Sequence, residues 1–233
     1  MTSFDFGQGL VYARQHPNGG GWVADTAIVG LAAYIGPNAV VYGNARVRGN
    51  TKIYGNARVY GYAEIYSHAE VYGNAKVCGN AAVHGCAVIS GNVKVYENAE
   101  VYERAHVSEN AHISGNAHIS GNAKVFGNAQ VSDDVQVFDN ALVSEDTRVY
   151  EHAKIYDNAR VYGNAVICGN AKVFGNTKIF GNMKFDGNEI ISLNEQEIVA
   201  PSVNKDYPHL CPKCKSPAYV GFVKIDCSNN CGV

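Results

Sequence analysis

The residues best suited to chemistry lie near the end of the chain, as Cys211-Pro-Lys-Cys214 and Cys227-Ser-Asn-Asn-Cys231, a CxxC and a CxxxC separated by twelve residues. Thiolates are soft ligands, and four of them on two short knuckles make the tetrahedral sulfur cage that zinc prefers. A strand-like stretch from Ala218 to Ile225 would join the knuckles. So small a module has almost no core of its own, so bound metal would supply most of its folding free energy. The competing use of the same cysteines is a pair of disulfides. The opening residues, Met-Thr-Ser-Phe-Asp-Phe-Gly, lack the charged and apolar regions of a secretion signal, which favours zinc on Cys211, Cys214, Cys227 and Cys231 and a cytoplasmic location.

Histidine supplies the next candidates. His84, His106, His112, His118 and His152 are possible general bases near neutral pH, and His106, His112 and His118 look like a cluster in the sequence. Tyr and Phe recur through the middle of the chain. Acidic residues gather in two zones, Glu97, Glu103 and Glu109, then Asp133, Asp139, Glu145, Glu151 and Asp157. Which of these can meet depends on the elements that carry them.

Only five Leu stand against 24 Asn and 25 Gly in 233 residues, which excludes a helical bundle because Asn and Gly are poor helix formers. No window approaches the roughly 18 apolar residues of a membrane span. A formal charge of −2 gives no general attraction to nucleic acid. From Asp25 to Ser192 the chain divides into 28 hexads without insertion or deletion, typified by Gly55-Asn56-Ala57-Arg58-Val59-Tyr60. Position five is Val or Ile in 27 hexads, and position three is Ala in 21. Two inward positions two residues apart define a strand, so residues three to six should be extended, with three and five inside and four and six outside. Gly and Asn at positions one and two should make the bend, through their tolerance of left-handed backbone.

A strand of about four residues cannot bury its Val alone, so the hexads must coil, three to a turn, each strand pairing with one 18 residues away. The result is an all-β triangular solenoid of about nine coils, on the order of 45 Å long at roughly 4.8 Å per rung. Only residues 18 apart then share a line on a face. His106, His112 and His118 therefore fall on three faces and cannot share a metal within one chain. The corner acids read as solvated charge, with only the pairs Asp139 and Asp157, and Asp133 and Glu151, on consecutive levels. Position six carries ten Tyr and four Phe, which should point outward in ladders, Tyr42 over Tyr60, Tyr54 over Tyr72 and Tyr156 over Phe174. Such ladders stabilise a coil, and their exposed area also reads as an oligomer or ligand surface.

These residues place a resemblance. The Gly-Asn-Ala-x-Val array over 25–192 resembles the hexapeptide-repeat family, in insertion-free forms like those of bacteria and phages. The terminal cysteines resemble a zinc ribbon with one extra residue in the second knuckle. The first resemblance implies a left-handed parallel β-helix, although the general rule for parallel crossovers favours the opposite hand. It also implies a trimer of parallel prisms. The family includes acyltransferases that use coenzyme A, whose sites are built by loops leaving a corner, usually with a His as base. No hexad here carries such a loop. The expected organisation is a cap over 1–24 containing the single Trp, a β-helix over 25–192, a linker over 193–210 and a zinc module over 211–233. The expected function is a non-catalytic, rigid, homotrimeric scaffold that contacts protein partners through its faces and zinc module. Two alternatives stay open: acyl transfer from coenzyme A thioesters, and nucleic-acid binding through the module, where Lys205, Lys213, Lys215 and Lys224 outnumber Asp206 and Asp226.

Overall fold

The computed structural model describes residues 2–193 and 197–199. Positions four and five of each hexad form a two-residue strand, as at Arg58–Val59 and Lys76–Val77. Each strand pairs in parallel with those 18 residues before and after it, Lys76 with both Arg58 and Lys94. The backbone N–H groups of positions two, four and six donate to the carbonyls of positions one, three and five one coil on. Thus Asn74 bonds Gly91 at 2.8 Å, Lys76 bonds Val93 at 2.9 Å and Cys78 bonds Val95 at 2.9 Å. The strands are shorter than the expected positions three to six because the corner already begins at six. There the position-three N–H folds back to the preceding position-six carbonyl, as from Ala117 to Ser114 at 3.3 Å.

Three parallel ladders of ten rungs form three faces. The first face continues into a 12-stranded sheet, because an antiparallel hairpin of β1 (Thr2–Asp5) and β2 (Leu10–Gln15) adds to its first rung, β3 (Trp22–Ala24). The last rung of the third face, Glu197–Val199, pairs with Lys178–Phe180 at an offset of 19 residues. These outer rungs raise the prism to about ten coils rather than nine: pairing is carried by the backbone, so it extends past the last regular hexad at each end. Between β2 and β3 the chain crosses beneath the first coil. A Cβ on Gly21 would sit 2.4 Å from the Gly36 carbonyl oxygen, so glycine is required for that close approach.

Positions three and five fill the interior as alternating small and branched side chains, Ala57, Val59, Ala63 and Ile65 all being fully buried. Each buried aliphatic side chain contributes about 1.5 to 3 kcal/mol, and the small Ala lets the corners close. Three Thr stand in for Ala at this position. Thr147 and Thr177 satisfy their hydroxyls by donating to the carbonyls of Ser144 and Phe174, each at 2.6 Å. Thr51 has no partner for its buried hydroxyl. Among the described residues no helix is long and apolar enough to cross a membrane.

Ile113→Ala should lower stability by about 2 to 5 kcal/mol, because neighbouring coils locked in register cannot collapse into the cavity. Urea unfolding followed by far-ultraviolet circular dichroism measures it, and a loss below about 0.5 kcal/mol would contradict tight interior packing.

Candidate functional site

The outward side chains form columns, and each column has its own physical chemistry. At position one the backbone is left-handed. Ser67 and the eight corner acids, Glu97, Glu103, Glu109, Asp133, Asp139, Glu145, Glu151 and Asp157, all have φ between 57° and 64°. For a residue with a Cβ this costs on the order of 1 to 2 kcal/mol. The compensation is visible: each acid accepts the backbone N–H of the residue 18 further on, Glu97 from Gly115 and Glu103 from Gly121, both at 2.6 Å, and Glu151 from Gly169 at 2.6 Å. These charge-assisted hydrogen bonds are exposed to solvent, so they offset part of the strain. The corner acids thus stay in contact with solvent, as expected, and in addition cap the next coil.

Asn at position two does not adopt the left-handed backbone expected of it. Its role lies in the side chain. Asn56 donates to Asn74 at 3.0 Å, and the series continues through Asn92, Asn110 and Asn128 to the carboxylate of Asp146. An amide presents both donor and acceptor, so each rung satisfies the next.

The aromatic columns stack. Ring centroids lie 4.9 Å apart for Tyr42 and Tyr60, 4.8 Å for Tyr54 and Tyr72, and 4.9 Å for Tyr156 and Phe174, with planes within 7°. Tyr54, Tyr60, Tyr72, Tyr156 and Phe174 are half-buried by this stacking. Tyr42 must be removed from the candidate contact surface. It is only 7% exposed because the hairpin folds over it, Phe6 stacking on its ring at 4.9 Å while Phe4 stacks on Trp22 at 4.6 Å. Arg58 locks this arrangement by donating to the Phe6 carbonyl and lying over the Tyr42 ring. Below it, the Tyr60 phenol is pushed up to about 12 by its hydrogen bond with the Cys78 thiol and by partial burial.

The histidines separate as the period requires, with His106 on the third face, His112 on the first and His118 on the second. One carboxylate reunites two others. On the second face Glu100 reaches His84 Nε2 at 2.8 Å through Oε1 and His118 Nδ1 at 3.2 Å through Oε2. His84 is in turn stacked between Tyr66 and Tyr102. His152 meets Asp134 at 3.2 Å in a more exposed pair on a corner. Recesses of about 200 and 320 Å³ lie on this second face, one beside Arg46, Glu64 and Tyr66, the other beside Tyr102, His118 and Phe138. Among the described residues this face carries the ion pairs Arg46–Glu64, His84–Glu100 and His118–Glu100.

Among the described residues no group of three His, Cys, Asp or Glu is arranged to hold a metal. The proposed zinc ligands Cys211, Cys214, Cys227 and Cys231 lie outside the described residues. Within the prism, Cys78, Cys86 and Cys168 are free thiols.

A family model described as the YdcK beta solenoid repeat matches residues 52–66 and 153–169, two stretches of regular hexads. With the three ten-rung ladders, the match agrees on architecture. The chain is a parallel β-solenoid. A search of curated proteins finds no match.

His106 and His112 are held below their ordinary pKa, by burial first and then by Lys124 and Lys94 in the adjacent rungs. The folded state therefore binds these protons less readily than the unfolded state. Their contribution is complete above the unfolded value near 6.5 and is lost as pH falls through the lowered folded value. A His106→Gln, His112→Gln variant should show a flatter dependence of unfolding midpoint on pH between about 7 and 5 than the native chain. Superimposable profiles would contradict it.

Proposed function

We propose that this chain is a rigid, homo-oligomeric scaffold of the hexapeptide-repeat type, left-handed in its coil, which contacts macromolecular partners through its faces and a C-terminal zinc module and performs no catalysis. The observation that carries this reading is the uninterrupted ladder from Trp22 to Leu193, in which no segment leaves a corner to enclose a substrate. A flat face keeps ring edges and charges in fixed positions, so a partner meets a surface whose ordering entropy is already spent. Tyr54, Tyr60, Tyr72, Tyr156 and Phe174 supply its apolar contact area, and parallel prisms in a trimer would cover much of it.

A second reading, acyl transfer, is favoured by one observation: Glu100 engages Nδ1 of His118 and leaves Nε2 without a protein partner, the arrangement of an oriented general base. It would require a groove between adjacent prisms to enclose the thioester and the acceptor. Titration with acetyl-coenzyme A discriminates the two, since saturable binding abolished by His118→Ala would replace the scaffold reading.

Sedimentation of the purified protein at micromolar concentration should give a trimer, and Tyr54→Ser with Tyr72→Ser should weaken association while leaving the β-sheet signal intact. A monomer would remove the oligomeric part of the proposal.

Metal analysis should find about one zinc per chain, lost in a Cys211→Ser, Cys214→Ser variant. Full occupancy in that variant would displace the proposed ligands.

A further inference from the structure

We propose that the second face holds a binding site for a planar nitrogen heterocycle of the nucleobase type, uncharged or cationic, seated where one ring is missing from the face's aromatic column. The position-six column there runs Tyr66, His84 and Tyr102, then Ser120, then Phe138, Tyr156 and Phe174. Above the serine, the His84 ring stacks on Tyr66 at 4.5 Å and on Tyr102 at 5.2 Å. Below it, Phe138, Tyr156 and Phe174 stack at 4.9 Å with planes within 5°. A ring at position 120 would complete a seven-membered stack, so the space left by Ser120 is the thickness of one flat ring. It opens as a notch of about 320 Å³. The aromatic walls are set by the coil spacing and need no rearrangement to receive a ring, which keeps the ordering cost of binding small.

The rim of the notch identifies the ring. On the corner side, Glu103 and Asp139 each commit one carboxylate oxygen to a backbone N–H, of Gly121 at 2.6 Å and of Asp157 at 3.4 Å, and leave the other without a protein partner. On the opposite side, His118 is held to Glu100 through Nδ1 and meets the Tyr102 ring edge to face at 6.4 Å, its Nε2 having no hydrogen-bond partner in the protein, and the Gln136 amide has none either. The nearly buried Ser120 hydroxyl, on the floor, also lacks one. An apolar slot with a few converging, unengaged polar groups is the usual form of a small-molecule site. Two carboxylates call for N–H donors on the ring edge, and their charge opposes a phosphate. The site therefore favours a free base or nucleoside over a nucleotide.

The other single gaps in the ring columns lack this combination. On the first face, Cys78 lies between Tyr60 and Tyr96, and its thiol is engaged by the Tyr60 phenol. On the third, Ser144 lies between Phe126 and Tyr162, but the outward column beside it carries Lys124, Leu142 and Arg160. The inference does not depend on the scaffold reading, since a small ligand could occupy the notch with or without a macromolecular partner elsewhere.

Titration of the full chain with adenosine, followed by calorimetry and by saturation-transfer NMR, tests it. Saturable binding with a dissociation constant of roughly 1 mM or lower is expected. Ser120→Tyr, which fills the rung, should weaken binding at least about tenfold without lowering the thermal midpoint, whereas Ser144→Tyr should leave binding unchanged. Glu103→Gln keeps an acceptor for Gly121 and should still weaken adenosine several-fold, which preserves the test if Ser120→Tyr misfolds. Adenosine monophosphate should bind more weakly than adenosine. Absence of saturable adenosine binding, or binding indifferent to both Ser120→Tyr and Glu103→Gln, would overturn the proposal. Equal or tighter binding of N-acetyltryptophanamide would overturn the heterocycle and assign the notch to an aromatic side chain of a protein partner.

Discussion

The backbone of each coil is satisfied by the coils above and below it, and this one constraint governs the rest of the molecule. The donors at positions two, four and six find carbonyls one coil on only if the path around the triangle has a constant length. In a strand, a slip of one residue turns every inward side chain outward. An extra residue within the array would therefore expose a Val and bury a Lys or Tyr over a whole face. Among the described residues, the offset of 19 residues is found only at the outermost rung of the third face, Glu197–Val199. Uniform hexads are the consequence, and they leave individuality to the outward columns and the two ends.

The corners show how the same constraint shapes the polar residues. A glycine at position one adopts the left-handed bend freely, as Gly115 does at φ 67°. An acid in that place accepts strain and returns a charged hydrogen bond to the following coil. Position two adds a parallel set of side-chain bonds through Asn, with Asp134 and Asp146 as acceptors in the Asn series from Asn80 and Asn56. The prism is therefore held by three hydrogen-bonded lattices, one of backbone groups and two of corner side chains. The acid-rich segment from Glu97 to Asp157 has all three, whereas the coils before it rely on glycine corners.

Much of this was legible in the sequence because one number, 18, maps positions onto neighbours. The ring pairs Tyr54–Tyr72 and Tyr156–Phe174 and the separation of His106, His112 and His118 follow from it directly. Tyr42 also has its partner at that spacing, yet its burial depends on Phe6, in a hairpin with no period to read. The contact of Glu100 with His84 was missed for a different reason. An outward position-four residue reaches not only the residue 18 away but also position six of the adjacent coil, at an offset of 16, as Glu70 reaches Tyr54. The exposure of the corner acids follows from their place in the hexad, whereas their capping role does not, because their partners are backbone N–H groups, to which the sequence gives no signature. For Asn, the bend was the better-known use of the residue and concealed the ladder.

A fold made of identical units confines function to departures from the unit. The repeated side chains are already committed: Ala and Val to the interior, Asn to its ladder, most rings to one another. A side chain becomes available to a partner only where its expected neighbour differs. Glu100 engages two histidines because His84 stands where half of the rungs carry Tyr or Phe, and His118 where most carry a charged or amide side chain. Phe138 keeps a ring face without a stacking ring, and Tyr102 meets only the His118 ring edge to face, because Ser120 lies between them. In both cases the neighbouring coils hold the remaining groups at the spacing of the missing contact, so the solenoid supplies preorganisation without any element dedicated to it. The same rigidity limits what the faces can do alone. Their groups lie in one plane, and a reacting atom that must be approached from several sides needs a second surface, which a single flat prism face does not provide.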